Sequence, residues 1–150
     1  MSDTHSDAKP KSLFWKLLAY SDFVVYAALW LATAVLAPRN MILYSGLGLS
    51  AITCVFWGIA RRQIGECFTI TAQAKRLVKT GLYRYFRHPI YLFSTLAHLG
   101  VYVALQNWWI LGIWIVVVSL VQIPRIAKEN KALADAFGDA FVEYRKATWI

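Results

Sequence analysis

Two short polar clusters in an otherwise apolar chain carry the residue types from which a binding site can be built. The first runs from Leu77 to Tyr91 and ends in Arg87-His88-Pro89. Proline is favoured at the first helical position, where its fixed φ is suitable and its missing N–H costs nothing. A helix starting at Pro89 presents free N–H groups and the positive end of its dipole, which suit an anion. Arg87 and His88 stand beside that end, and His88 and Tyr91, three residues apart, share a helix face. The second cluster is Lys128-Glu129-Asn130. A cationic, donor-rich lip and an acid suit the two ends of a small zwitterion, so the clusters are expected to meet at one membrane face. Each residue also has a plainer role open to it. Arg87 suits a membrane-flanking anchor, His88 a helix cap, and Tyr83, Tyr85 and Tyr91 an interfacial belt. Glu129 can pair with Arg125 at i,i+4.

The composition says what must position these clusters. The chain has 150 residues, of which 59% are hydrophobic and 16% charged, and its mean hydropathy is +0.47. A soluble domain carries roughly a quarter charged residues. The reading is an all-α, polytopic membrane protein with about four transmembrane helices. The spans are expected at about 13–37, 41–60, 89–106 and 108–123, since a bilayer core of about 30 Å needs about 20 helical residues. Residues 1–12 form a polar tail. Residues 13–150 form a single membrane-embedded domain, with polar regions at 61–91 and 125–150. Only Gln106-Asn107 separates the third and fourth spans, so these form a tight hairpin, and Trp108-Trp109 fit an interfacial aromatic belt. Pro124-Arg125 is expected to close the last span.

Charge placement sets the orientation. All but Arg39 of the 16 basic residues fall on one side of a four-span topology. The positive-inside rule then puts both termini and the long connection in the cytoplasm. The tail reads as a C-terminal amphipathic helix, with Leu133, Phe137, Phe141 and Tyr144 at three- and four-residue spacing. It is interrupted at Phe137-Gly138-Asp139, with Gly138 as the stop and Asp139 as the next N-cap. Phe141, Tyr144 and Trp149 suit the headgroup layer. The formal net charge of +8 follows from span flanking, and no nucleic-acid motif accompanies it. Cys54 and Cys67 form no metal or disulfide pattern. Gly46, Ser50, Cys54 and Gly58 repeat every fourth residue, a small-residue face that suits packing within the bundle or against a second copy.

The run Leu77-Val78-Lys79-Thr80-Gly81-Leu82-Tyr83-Arg84-Tyr85-Phe86-Arg87-His88-Pro89-Ile90-Tyr91 resembles the signature of one membrane methyltransferase superfamily. That superfamily includes isoprenylcysteine carboxyl methyltransferases and phospholipid methyltransferases. Ile64-Gly65-Glu66-Cys67-Phe68-Thr69 is similar to its entry motif. Glu129-Asn130-Lys131-Ala132-Leu133, Phe137-Gly138 and Tyr144 are similar to its C-terminal pattern. The chain departs from the family at Leu82 (usually Pro), at Phe93 (usually small) and at Asn130 (usually a second Glu). The resemblance implies an S-adenosylmethionine-dependent methyltransferase with a lipidic or hydrophobic acceptor. That acceptor is either isoprenylcysteine carboxylate-like or phospholipid amine-like. By the same resemblance Leu77, Val78, Gly81, Tyr83, His88, Pro89, Tyr91, Glu129 and Asn130 hold the cofactor, and Arg87 and Glu129 are catalytic. Arg84, Arg87 or Arg145 would steer an anionic head. Sterol reductases, which bind NAD(P)H, share part of this pattern, and a non-catalytic relative is a third reading. The expected setting is a bacterial inner membrane, with the site on the cytoplasmic face.

Two ionisable residues fall within spans: Asp22 in the first and His98 in the third. At such depth each is a functional candidate. Asp22 either lines a substrate path or reaches the interface, and His98 either bonds a neighbouring helix or contacts substrate.

Overall fold

The computed structural model describes residues 13–64 and 77–149, with side chains from Ser21 onward. The N-terminal tail and Gly65–Thr69 of the entry motif lie outside the described residues. Five α-helices follow in order: α1 Leu13–Leu36, α2 Met41–Ile64, α3 Pro89–Leu105, α4 Trp108–Phe137 and α5 Asp139–Ala147, with a 3₁₀ turn at Gly81–Arg84 before α3. No strand occurs among the described residues, apart from an isolated bridge between Phe86 and Trp149.

Local chemistry sets the helix ends. Pro38 stands two residues past α1 and disfavours helical backbone at Ala37 before it. The Asn40 side chain accepts from the Leu43 N–H at 3.0 Å and caps α2. Gln106 adopts the left-handed conformation at φ 59°, and Asn107 caps α4 by accepting from Ile110. The Asn40 and Gln106 amides also bond each other reciprocally, at 2.8 and 3.1 Å. This pair ties the α1–α2 turn to the α3–α4 turn.

α2 and α3 form the centre of the bundle. A Cβ added at Gly46 would lie 2.7 Å from the Gly100 carbonyl oxygen, so only glycine allows this approach. The expected small-residue face is therefore used within the chain at Gly46 and Ser50. At Gly58 an added Cβ would meet nothing within 4 Å. A hydrogen-bonded relay crosses three helices here. Ser50 Oγ donates to the Ala97 carbonyl at 2.7 Å, and the Tyr26 hydroxyl on α1 meets Ser50 Oγ at 2.6 Å. Buried polar groups need such partners, most of all in an apolar surround. Tyr26, Trp57, Ala97 and Val101 form the adjoining apolar core, packed by Phe23, Ile90 and Phe93.

α2 and α4 are each long and apolar enough to cross a bilayer. Their outward faces carry Leu49, Ile52, Val55 and Ile113, Val116, Leu120, Ile123, all exposed. α4 buries none of its residues, unlike a core helix of a soluble protein. Contiguous apolar surface on this scale requires a non-aqueous surround.

The sequence expectation differs from the structure in three places. α2 runs on through Arg61, Arg62 and Gln63. α4 continues through Pro124 to Phe137 rather than closing there. Proline removes the bond its own N–H would make to residue 120 and its ring crowds that carbonyl, yet the chain stays helical on both sides. Gly138, at φ 48°, is both the stop of α4 and the N-cap of α5, and Asp139 is the first residue of α5 rather than its cap.

Candidate functional site

The start of α3 and the polar part of α4 meet. His88, the N-cap residue of α3, is buried. Its Nε2 lies 2.9 Å from Asn130 Oδ1, and its Nδ1 lies 3.5 Å from Glu129 Oε2. One turn into α3, the Tyr91 hydroxyl donates to Glu129 Oε1 at 2.7 Å. The Arg125 guanidinium lies over the Tyr91 ring, 5.5 Å from its centroid. Four residues from two distant sequence clusters thus form one hydrogen-bonded group around a half-buried carboxylate. Burial pushes the Glu129 carboxyl upward. The hydrogen bonds from His88 and Tyr91, with Arg125 nearby, more than reverse this and hold it below the ordinary carboxylate range.

Arg87 stands next to His88. Its Nε is buried and has no hydrogen-bond partner among the described residues. Burial and then the neighbouring positive charge of Arg145 both disfavour its charged form. A buried guanidinium nitrogen without an acceptor is a place for an anion. Arg145 itself is exposed on α5, and Arg84 is exposed with its guanidinium 5.9 Å from the Tyr85 ring centroid.

The loop leading to this group is held from two sides. Gly81 has φ 63°, and a Cβ there would collide with the Gln63 side chain. Gln63 Oε1 accepts from the Leu82 N–H at 2.8 Å. Tyr83 is buried, with its hydroxyl pushed upward by burial and then by Tyr144, Glu129 and Tyr91 nearby. The Tyr83 carbonyl accepts from the Tyr144 hydroxyl at 2.7 Å. Burial pushes the Tyr144 hydroxyl up to about 12. Leu77 and Val78 are half-buried beside this loop. Gln63 and the Tyr144 bond to Tyr83 went unread in the sequence. Gln63 sits just past an apolar span and one residue outside the entry motif, and Tyr144 reads equally well as a headgroup aromatic.

Asp22 and His98 lie apart from this group. Asp22 Oδ2 pairs with Arg61 at 2.7 Å, and Arg61 lies over Phe23. Asp22 is therefore matched by a cation at the end of α2. His98 bonds the Ser94 carbonyl of its own helix at 2.8 Å instead of a neighbouring one. Its neighbours meet it through rings, with Tyr26 at 5.3 Å and Trp57 at 5.8 Å between centroids.

Chemically, the ionised, partly buried Glu129 carboxylate can accept a cation. The Arg87 Nε, without a partner among the described residues and next to a proline-initiated helix N-terminus, can donate to an anion. Comparison with known proteins gives the family. The model of the family described as "Phospholipid methyltransferase" matches residues 35–140. The protein-S-isoprenylcysteine O-methyltransferase of Schizosaccharomyces pombe is 31% identical over 107 residues, which is 68% of this chain and 45% of the yeast protein. The chain thus spans about half the length of that curated relative. No solved structure matches significantly. The family model covers both halves of the site and three of the five helices in full, and the chain belongs to the phospholipid methyltransferase family, within the superfamily that also holds the isoprenylcysteine methyltransferases.

Proposed function

We propose that this chain is an integral membrane methyltransferase that uses S-adenosylmethionine to methylate the polar head of a lipidic acceptor. The observation that carries the reading is the Tyr91–Glu129–His88–Asn130 group, preceded in the chain by Arg87, whose Nε is buried and unpartnered among the described residues. Glu129, with Asn130 beside it, would hold the ammonium of the donor's amino-acid end. Arg87, His88 and the helix N-terminus at Pro89 would hold its carboxylate. The backbone of Leu77 to Gly81, with Tyr83 behind it, would line the adenine. The donor, when bound, supplies an electrophilic methyl group. The chain's own residues align that donor with the acceptor, a contribution worth roughly 7–11 kcal/mol in well-oriented systems.

The acceptor's class follows from the charges near the site. Arg84 and Arg145 would steer an anionic head, either a carboxylate or a phosphate next to an amine. The carboxylate needs no base, whereas an amine must first lose a proton. The membrane arrangement in this reading has four passes, α1 to α4, with the basic residues of the clamp face in the cytoplasm. Asp22 pairs with Arg61, and in this reading the pair would sit near that face, where Asp22 either lines the acceptor's path or anchors at the interface. The bacterial inner membrane suits the compact loops.

The test is ligand-dependent stability of the detergent-purified protein. A ligand that binds only the folded state at 100 times its Kd adds about 2.7 kcal/mol. S-adenosylhomocysteine should raise the melting temperature and NADPH should not. Stabilisation by NADPH alone would sink the proposal.

A further inference from the structure

His88 and Tyr91 are fixed by α3, and Glu129 and Asn130 by α4. α4 buries none of its 30 residues. It meets α3 through the Thr95 hydroxyl, which donates to Gln122 Oε1 at 3.0 Å, and through Trp114, 5.0 Å from the Tyr102 ring and 6.4 Å from the His98 ring between centroids. These contacts stop at Gln122, about two turns short of Glu129. The chain, however, comes back to the site after Gly138. Phe141 and Tyr144 on α5 are buried, 3% and 6% exposed. The Tyr144 hydroxyl donates to the Tyr83 carbonyl at 2.7 Å. The Thr148 hydroxyl, also buried, donates to the Tyr144 carbonyl at 2.8 Å and turns the chain out of the helix. Trp149 then pairs with the loop before α3. Its N–H donates to the Tyr85 carbonyl at 2.8 Å, and its carbonyl accepts from the Arg87 N–H at 3.2 Å. These two bonds bracket Phe86 and end one residue before His88.

The path from Glu129 and Asn130 through α5 to Arg87 thus closes on itself. We propose that the Tyr144 hydroxyl and the Trp149 backbone are positioning elements that set the spacing between Arg87-His88 and Glu129-Asn130. They act through the loop rather than on a ligand. The Trp149 side chain is exposed, so its N–H and carbonyl carry the role and its indole does not. The inference rests on the reading of the site as a donor clamp.

The experiment uses the full chain in detergent and three variants: Tyr144→Phe, Trp149→Pro and Trp149→Ala. Tyr144→Phe removes one hydrogen bond and keeps the ring. Trp149→Pro removes the N–H to Tyr85, and Thr148, at φ −116° and ψ 145°, already has the extended conformation a following proline requires. Trp149→Ala keeps both backbone bonds. Binding of S-adenosylhomocysteine is measured by calorimetry, and kcat and KM by methyl transfer. One lost neutral hydrogen bond should weaken binding roughly three- to tenfold in Tyr144→Phe and Trp149→Pro, with a matching rise in donor KM. At saturating donor kcat should stay within about twofold, since spacing affects capture of the donor before chemistry. Trp149→Ala should bind as the wild type does. Equal binding by the alanine and proline variants would overturn the role of the Trp149 backbone. A lower melting temperature in Tyr144→Phe with unchanged affinity would show a structural role only and overturn the positioning role of Tyr144. No binding to the wild type would instead overturn the donor-clamp reading, and this inference with it.

Discussion

Replacing Glu129 with Gln changes one carboxylate oxygen to an amide group and removes one negative charge, with almost no change of shape. In the free protein the consequence is modest. The Tyr91 hydroxyl, 2.7 Å from Oε1, can still donate to the amide oxygen, but to a neutral acceptor. A hydrogen bond to a charged group is worth about 1.5–3 kcal/mol and a neutral one about 1, so this contact should lose about 1 kcal/mol. The looser His88 contact at 3.5 Å adds little. The folded protein should therefore melt only a few degrees lower. The bound state should respond far more. If Glu129 holds an ammonium, the variant leaves that cation in a half-buried site without its counter-charge. Removing one partner of such a pair costs about 2–5 kcal/mol, and the lower part of that range is a loss of about 30- to 1000-fold in affinity. Calorimetric titration with S-adenosylhomocysteine measures the second effect and a thermal melt the first. An affinity within about threefold of wild type, where 1.4 kcal/mol is tenfold, would refute the assignment of Glu129 to the ammonium. The ratio of the two losses matters more than either alone. A general collapse of the site would lower stability and affinity together.

Two other expectations concern the scaffold and the solution conditions. Gly46→Val would drive a branched side chain into the Gly100 carbonyl, 2.7 Å from the position of Cβ. The strain should cost about 1–3 kcal/mol and appear as a lower melting temperature in detergent, with wild-type stability refuting the close α2–α3 crossing. The Glu129 carboxyl is held below its ordinary range in the folded chain. Its contribution to stability is therefore present above the unfolded carboxylate value, about 4.3, and is lost as the pH falls through the folded value. Melts between neutral pH and pH 3 should show the wild type losing an increment of stability that Glu129→Gln does not lose.

The helices and the two polar clusters were legible because each is written locally. Apolar length gives the helices, and Pro89, Asn107 and Gly138 mark ends with conformational preferences of their own. The encounter of His88 with Asn130 and of Tyr91 with Glu129 was legible only through charge placement and family pattern, since nothing near residue 88 encodes contact with residue 130. Other features depend on atoms supplied by a distant segment. Gln63 has no sign around it that its amide will cap a turn 19 residues later. Asp22 reads from the sequence as lining a path or reaching the interface, and its pairing with Arg61 is hidden because α2 extends a further turn beyond the apolar span and carries Arg61 back to it. His98 looked available to other helices, but on an α-helix the nearest carbonyl is its own chain's, four residues earlier. Pro124 looked like an ending because a proline within a helix is costly, yet the cost falls on a single carbonyl.

That carbonyl fixes a depth. Residue 124 has no N–H to offer, so the Leu120 oxygen lacks the donor that every ordinary helical turn supplies. In hydrocarbon an unmatched backbone group costs several kcal/mol, whereas in the headgroup layer water satisfies it. In the proposed membrane arrangement α4 would ride lowest in energy at the height where Pro124 touches water. Glu129 lies five residues further on, about 7.5 Å along the axis at the helical rise. On the proposed reading the proline would work as a draught line: it would hold the Glu129 carboxylate on the wet side of the boundary, within reach of a water-soluble donor, while the apolar turns before it would stay in the layer from which a lipid would come.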